Sequence, residues 1–127
     1  KYPRLCRGII INYAKRASFY YDAKKFNLAI DDVNHALKIK QNYFLSLMRA
    51  KSYVGAERYN NAIDVLAELI KQNPKDFSPY IIRSNCYRAM NKAKLAQEDL
   101  EKGQKLLKKN GILEEVEIWL RRGYSWQ

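Results

Sequence analysis

Residues 50–74 read AKSYVGAERYNNAIDVLAELIKQNP. Ala50 and Tyr53 lie one turn apart and share a helix face. After a break over 55–58, the residues Tyr59, Ala62, Ile63, Leu66, Leu69 and Ile70 recur at helical spacing. Pro74 cannot continue that helix and biases Asn73 away from it. The pattern predicts two helices joined by a short turn, with a small residue where they touch. Neither helix buries its apolar stripe alone, so the hairpin needs neighbours.

The neighbours are present. Thirty-three residues before Ala50, Tyr53, Ala62 and Leu69 stand Ala17, Tyr20, Ala29 and Ala36; 34 residues after them stand Ser84, Tyr87, Ala96 and Gly103. A further step of 39 takes Tyr80, Arg83, Ser84 and Tyr87 to Trp119, Arg122, Gly123 and Trp126. Self-similarity at this period marks stacked helix–turn–helix units. On these residues the chain resembles the tetratricopeptide repeat family from about residue 10 to the C-terminus, and WLRRGYSW at 119–126 is similar to that family's opening helix. The resemblance implies an all-α fold, a right-handed superhelical solenoid of antiparallel helix pairs. Three full repeats are expected, over about 10–42, 43–76 and 77–110. A partial or capping unit follows at 111–127, and residues 1–9 form a leader.

A chain of 127 residues, 47% hydrophobic, forms one domain with a continuous core only two helix layers thick. It opens on Lys1 without an initiating Met, as a piece of a longer polypeptide would. No apolar run approaches the ~18–20 residues that span a bilayer. Cys6 and Cys86 make no disulfide framework. Cys86, beside a core tyrosine, reads as a buried thiol suited to a reducing compartment. The net charge of +11 admits three targets, namely nucleic acid, an acidic protein surface or an anionic membrane, besides a merely solvated lysine-rich surface.

Helix punctuation is legible along the chain. Asn27 is a candidate cap for the second helix, Gln41-Asn42 breaks it, and Ser78-Pro79 opens the fifth, with Ser78 as the cap. Gly103, inside a helical pattern, predicts a close helix contact. Asn110-Gly111 stops the sixth helix; Glu114, Glu115 and Glu117 then precede Arg121 and Arg122, as a helix dipole favours.

Few residues offer chemistry. Arg16, Arg49, Arg83 and Arg122 share the register just before the small residue, and Asp32 and Asp99 share one on the second helices. In related repeats such a pair bridges the two helices of a hairpin, so the resemblance implies an ion-pair brace there, lacking in the second unit, where Val65 replaces the acid. His35, the sole histidine, has no Cys or second His at ligand spacing, so no metal site is expected. No Ser–His–Asp or Cys–His set and no glycine-rich phosphate loop appear. The reading is therefore a protein that is not an enzyme and has no cofactor. Tyr20, Tyr53 and Tyr87 serve the core rather than stacking on bases.

The surface left for function is the groove along the first helices. Its expected lining is Lys15, Ser18 and Tyr21, then Phe44, Leu47, Met48 and Lys51, then Ile81, Ile82, Asn85 and Arg88, with Arg121 and Tyr124 beyond. That is an apolar floor with a basic rim, and Met48 with Ile81 is its expected central pair. The partner expected is another protein, offered as an acidic or amphipathic segment and part of a larger assembly. Tetratricopeptide domains that clamp chaperone C-terminal carboxylates carry Lys, Asn and Arg where this chain has Ala14, Ser18, Met48, Ser78 and Ile82, so that clamp is absent. The alternative is a polyanion site, RNA or an acidic tail, through Lys92, Lys94, Lys102, Lys105, Lys108 and Lys109, which the sequence spreads around a second helix without a base-reading motif. The resemblance further implies a cytoplasmic scaffold, with cytoskeletal and ciliary assemblies among those that such arrays serve.

Overall fold

The computed structural model describes residues 4–109, and within them six helices follow one another: α1 (Arg4–Asp22), α2 (Phe26–Ile39), α3 (Tyr43–Gly55), α4 (Tyr59–Gln72), α5 (Ser78–Ala89) and α6 (Ala93–Lys109). Each packs on the helix before it and the helix after it, and α3 also touches α5. This is a stack of three antiparallel hairpins. The fourth unit, with Trp119, Arg122, Gly123 and Trp126, lies outside the described residues, as do Arg121 and Tyr124. α1 begins at Arg4, so residues 4–9 of the expected leader are its first turns.

The three hairpin turns are copies of one another. Lys24, Glu57 and Asn91 stand at φ of 61°, 60° and 61°, in the left-handed region. In each turn the amide three places after the helix returns to a tyrosine carbonyl: Lys25 to Tyr20, Arg58 to Tyr53 and Lys92 to Tyr87, all at 2.8 Å. This closure satisfies carbonyls that the helix end leaves open. Asn tolerates the conformation, whereas Lys and Glu hold it at a cost that Gly would not incur.

Starts differ from the expected caps in two places. Asn27 lies inside α2, whose cap position is Lys25 with no side-chain bond. Ser78 is the first residue of α5 rather than its cap. Its amide donates to Asp76 Oδ1 at 3.0 Å, and Asp76 Oδ2 accepts the Tyr43 hydroxyl at 2.7 Å. One carboxylate thus caps α5 and ties the start of α3 to the α4–α5 connection. Burial, with that bond, pushes the Tyr43 hydroxyl's pKa up. Asn42 caps α3 by accepting from the Leu45 amide at 3.0 Å, and Pro79 sits in the first turn of α5.

Two core clusters fill the stack. Ala17, Ala29, Val33, Ala36, Leu37 and Leu45 make the first; Ala50, Ala62, Leu66, Leu69 and Cys86 make the second. Each borrows a side chain from the next hairpin, Leu45 or Cys86, which is how a repeat buries what its own helices leave open. Ala17, Ala50 and Ser84 are all buried at helix contacts. Ser84 Oγ further donates to the Ala96 carbonyl at 2.8 Å. Gly103 lies within α6, and a Cβ there would meet the Ile81 side chain, so the close approach expected of it is present. At Gly55 the Phe26 ring occupies the space a Cβ would need.

Candidate functional site

The arginine register resolves into two complete braces and one broken one. Arg16 grips Asp32 through Nε and Nη2 at 2.8 and 2.7 Å, and Arg83 grips Asp99 the same way at 2.7 and 2.8 Å. Both guanidinium groups also lie between two tyrosine rings, Tyr13 and Tyr20 or Tyr80 and Tyr87, at 5.8–5.9 Å from the centroids. The hydrogen bond and the charge of each aspartate raise the arginine's pKa above its ordinary value. Arg49 has Val65 in place of the acid and Ser46 in place of the first tyrosine. Its Nη1 turns instead to Asn34 of the preceding hairpin, at 3.2 Å, and its buried Nε has no hydrogen-bond partner among the described residues.

Between α1 and α3 lies an open cleft of about 260 Å³, lined by Ser18, Tyr21, Phe44, Leu47, Met48 and Lys51. All six were expected in the groove. Tyr21 is steadied by the Phe26 ring, edge-on at 5.4 Å, and Phe26 is itself seated against Gly55. Phe44 stands 76% exposed at the mouth, edge-on to Tyr43.

The other expected lining residues are elsewhere. Lys15 is exposed on α1 but does not line the cleft. Ile81 lies against Gly103, and Ile82 packs on the second core cluster. The pair Met48 and Ile81 is therefore not the centre of the cleft; Phe44 stands with Met48 instead. Asn85 and Arg88 are exposed on α5 and hydrogen-bond to each other. Sequence reasoning missed Asp76 and Asn34; an Asp two residues before a Ser-Pro helix start was the available signal for the first.

The remaining candidates carry little chemistry. His35 is exposed, with Nδ1 2.7 Å from the Asp31 carbonyl and its ring stacked on Tyr13 at 5.3 Å. Among the described residues no group of His, Cys, Asp and Glu could hold a metal ion, and no helix is long and apolar enough to cross a membrane. Burial pushes the Cys86 thiol up to about 11, away from thiolate chemistry. The six lysines of the alternative site are all exposed. Five of them fall within roughly a third of the α6 circumference, tighter than the spread expected. Glu98 and Glu101 share that arc, and Glu101 accepts from Gln97 at 3.1 Å. Lys108 and Lys109 close the last turn, where the helix dipole already favours cations.

No protein-family model matches the chain, and no curated protein matches it. Solved structures do. The translocator chaperone SycD of Yersinia enterocolitica superposes with a TM-score of 0.76 at 14% identity, over 89% of this chain and 86% of SycD. The TPR domain of Arabidopsis OM64 gives 0.75 at 18%, over 94% and 99%. The second TPR domain of human RPAP3, in complex with an HSP70 peptide, gives 0.70 at 19%, over 80% and 85%. What these proteins share with the chain is the fold, and that fold is the tetratricopeptide-repeat solenoid of helix pairs.

Proposed function

We propose that this tetratricopeptide-repeat fold serves as a non-catalytic interaction scaffold, taking an apolar side chain of an acidic or amphipathic partner segment into the cleft between α1 and α3. The observation that carries this is the grouping of Tyr21, Phe44, Leu47 and Met48 around one open hollow, with Lys51 at its edge. Met48 adapts to varied shapes, and Lys51 favours a partner with acidic flanks. Solved neighbours support the class of activity: the RPAP3 domains hold HSP90 and HSP70 peptides. Their ligand is not carried over. Ala14, Ser18, Met48, Ser78 and Ile82 offer no cation for a terminal carboxylate, which favours an apolar anchor as the recognised feature.

Truncating a desolvated anchor typically costs more than ~1–2 kcal/mol of binding, about tenfold or more in affinity. Phe44→Ala with Met48→Ala should therefore abolish affinity capture of the wild-type partners, read by mass spectrometry, while leaving the thermal melt near wild type. Lys51→Ala should slow association and flatten its salt dependence without abolishing it. A folded double variant that captures the wild-type set would overturn the proposal.

A further inference from the structure

We infer that the hollow between α2 and α3 is an oxoanion seat, taking one carboxylate or phosphate group onto Arg49. The repeat itself marks the place. In the first and third hairpins the guanidinium of this register gives Nε and Nη2 to an aspartate. In the second, Val65 stands where that aspartate would, and Arg49 keeps the charge without the acid. A guanidinium does not shed its proton to escape a shielded position, so its charge calls for an anion or for open water. Arg49 is only partly exposed, and its Nε is buried without a hydrogen-bond partner among the described residues. Its one hydrogen bond among them goes to the neutral amide of Asn34, at 3.2 Å.

The surroundings suit an anion. A hollow of about 380 Å³ opens beside Arg49, walled by Asn34, His35 and Lys38 of α2 and by Gln41 of the connection to α3. Arg49 occupies Asn34 Oδ1, so the amide NH2 of Asn34 keeps its two donors to offer. Gln41 carries a second side-chain amide and Lys38 a second cation, both exposed. His35 is held in the wall by its Nδ1 contact with the Asp31 carbonyl and by stacking on Tyr13. Asp31 is the one acid lining the hollow among the described residues. The ion pairs among those residues are those of Arg16 and Arg83, so Asp31 does not close on Arg49. Two cations and two amides against one acid favour negative charge, and a planar guanidinium meets a carboxylate or phosphate with paired hydrogen bonds. The hollow shares no lining residue with the cleft between α1 and α3, so the two sites stand or fall separately.

Titration of the isotope-labelled full chain with inorganic phosphate, at ionic strength held constant with chloride, tests this by NMR. Backbone amide signals of Asn34, Lys38 and Gln41 should move saturably, and those of Lys102 and Lys105 on α6 should not. Arg49→Met should weaken the binding about tenfold or more, because it removes a charge-assisted contact. Val65→Asp returns the acid of the other hairpins and should occupy Arg49 from within, abolishing saturation. Lys38→Gln, at an exposed position that leaves the core untouched, should weaken binding by a smaller factor. Two further arms identify the source of the anion. Acetate saturating at lower concentration than phosphate assigns the seat to a carboxylate, and the reverse order assigns it to a phosphate. Glu114, Glu115 and Glu117 are the acids of residues 110–127. Saturation that emerges only when all three are changed to glutamine assigns the seat to an acid of the chain itself. No saturation by either anion in either chain, or unchanged saturation in Arg49→Met or Val65→Asp, would overturn the inference. Shifts of equal size along α6 would overturn it too, as the mark of diffuse charge alone.

Discussion

Ala50→Leu should lower the stability of the domain by about 1–3 kcal/mol, a fall of about 4 °C in melting temperature per kcal/mol for a domain of this size. Ala50 is fully buried in the second core cluster, where α3 meets Ala62 and Leu66 of α4. Three added carbons have no void to enter, so α3 and α4 must separate or adopt strained rotamers. Ala17, at the same register in α1, should behave alike, while Ala67, exposed on α4, should accept leucine with little change. Thermal melts of the three variants check this; an Ala50→Leu melt matching wild type would contradict the register assignment.

Asp99→Ala should cost about 2 kcal/mol. It removes both acceptors from a guanidinium that is mostly shielded and held between two tyrosines, leaving a charge with poor access to water. Asp32→Ala should cost less, because Arg16 is largely exposed and can turn to solvent. Adding Arg83→Leu to Asp99→Ala should recover part of the loss, since a shielded charge without a partner is worse than an apolar group of similar reach. Denaturant unfolding of the single and double variants measures this; equal losses for Asp32→Ala and Asp99→Ala would contradict the burial contrast.

Hairpin units, their turns and the small-residue contacts were legible because periodicity and residue size survive in the sequence even where chemistry changes. The braces of Arg16 and Arg83, and the missing one at Arg49, were legible for the same reason: fixed register makes a spacing of sixteen residues into a contact. The left-handed residues at Lys24, Glu57 and Asn91 were not, because two of the three are side chains that do not ordinarily mark such a turn. The shared role of Asp76 was hidden because it joins a cap to a tyrosine 33 residues away. In the cleft, register grouped Ser18 and Tyr21 with Phe44, Leu47, Met48 and Lys51, but Lys15 of α1 does not line it. Ile81 lies against Gly103 of α6, where a side chain would meet it, a contact the spacing of α5 alone did not reveal.

The proposed groove is tested most directly by photo-crosslinking in the captured complex. A benzophenone side chain in place of Phe44 reports the mouth of the cleft, and one in place of Lys105 reports the basic arc of α6. The account predicts that the Phe44 site crosslinks to a partner protein, that excess unlabelled wild-type domain competes this away, and that the Lys105 site gives no such product. A crosslink from the Lys105 site to protein or nucleic acid, with none from the Phe44 site, would contradict it.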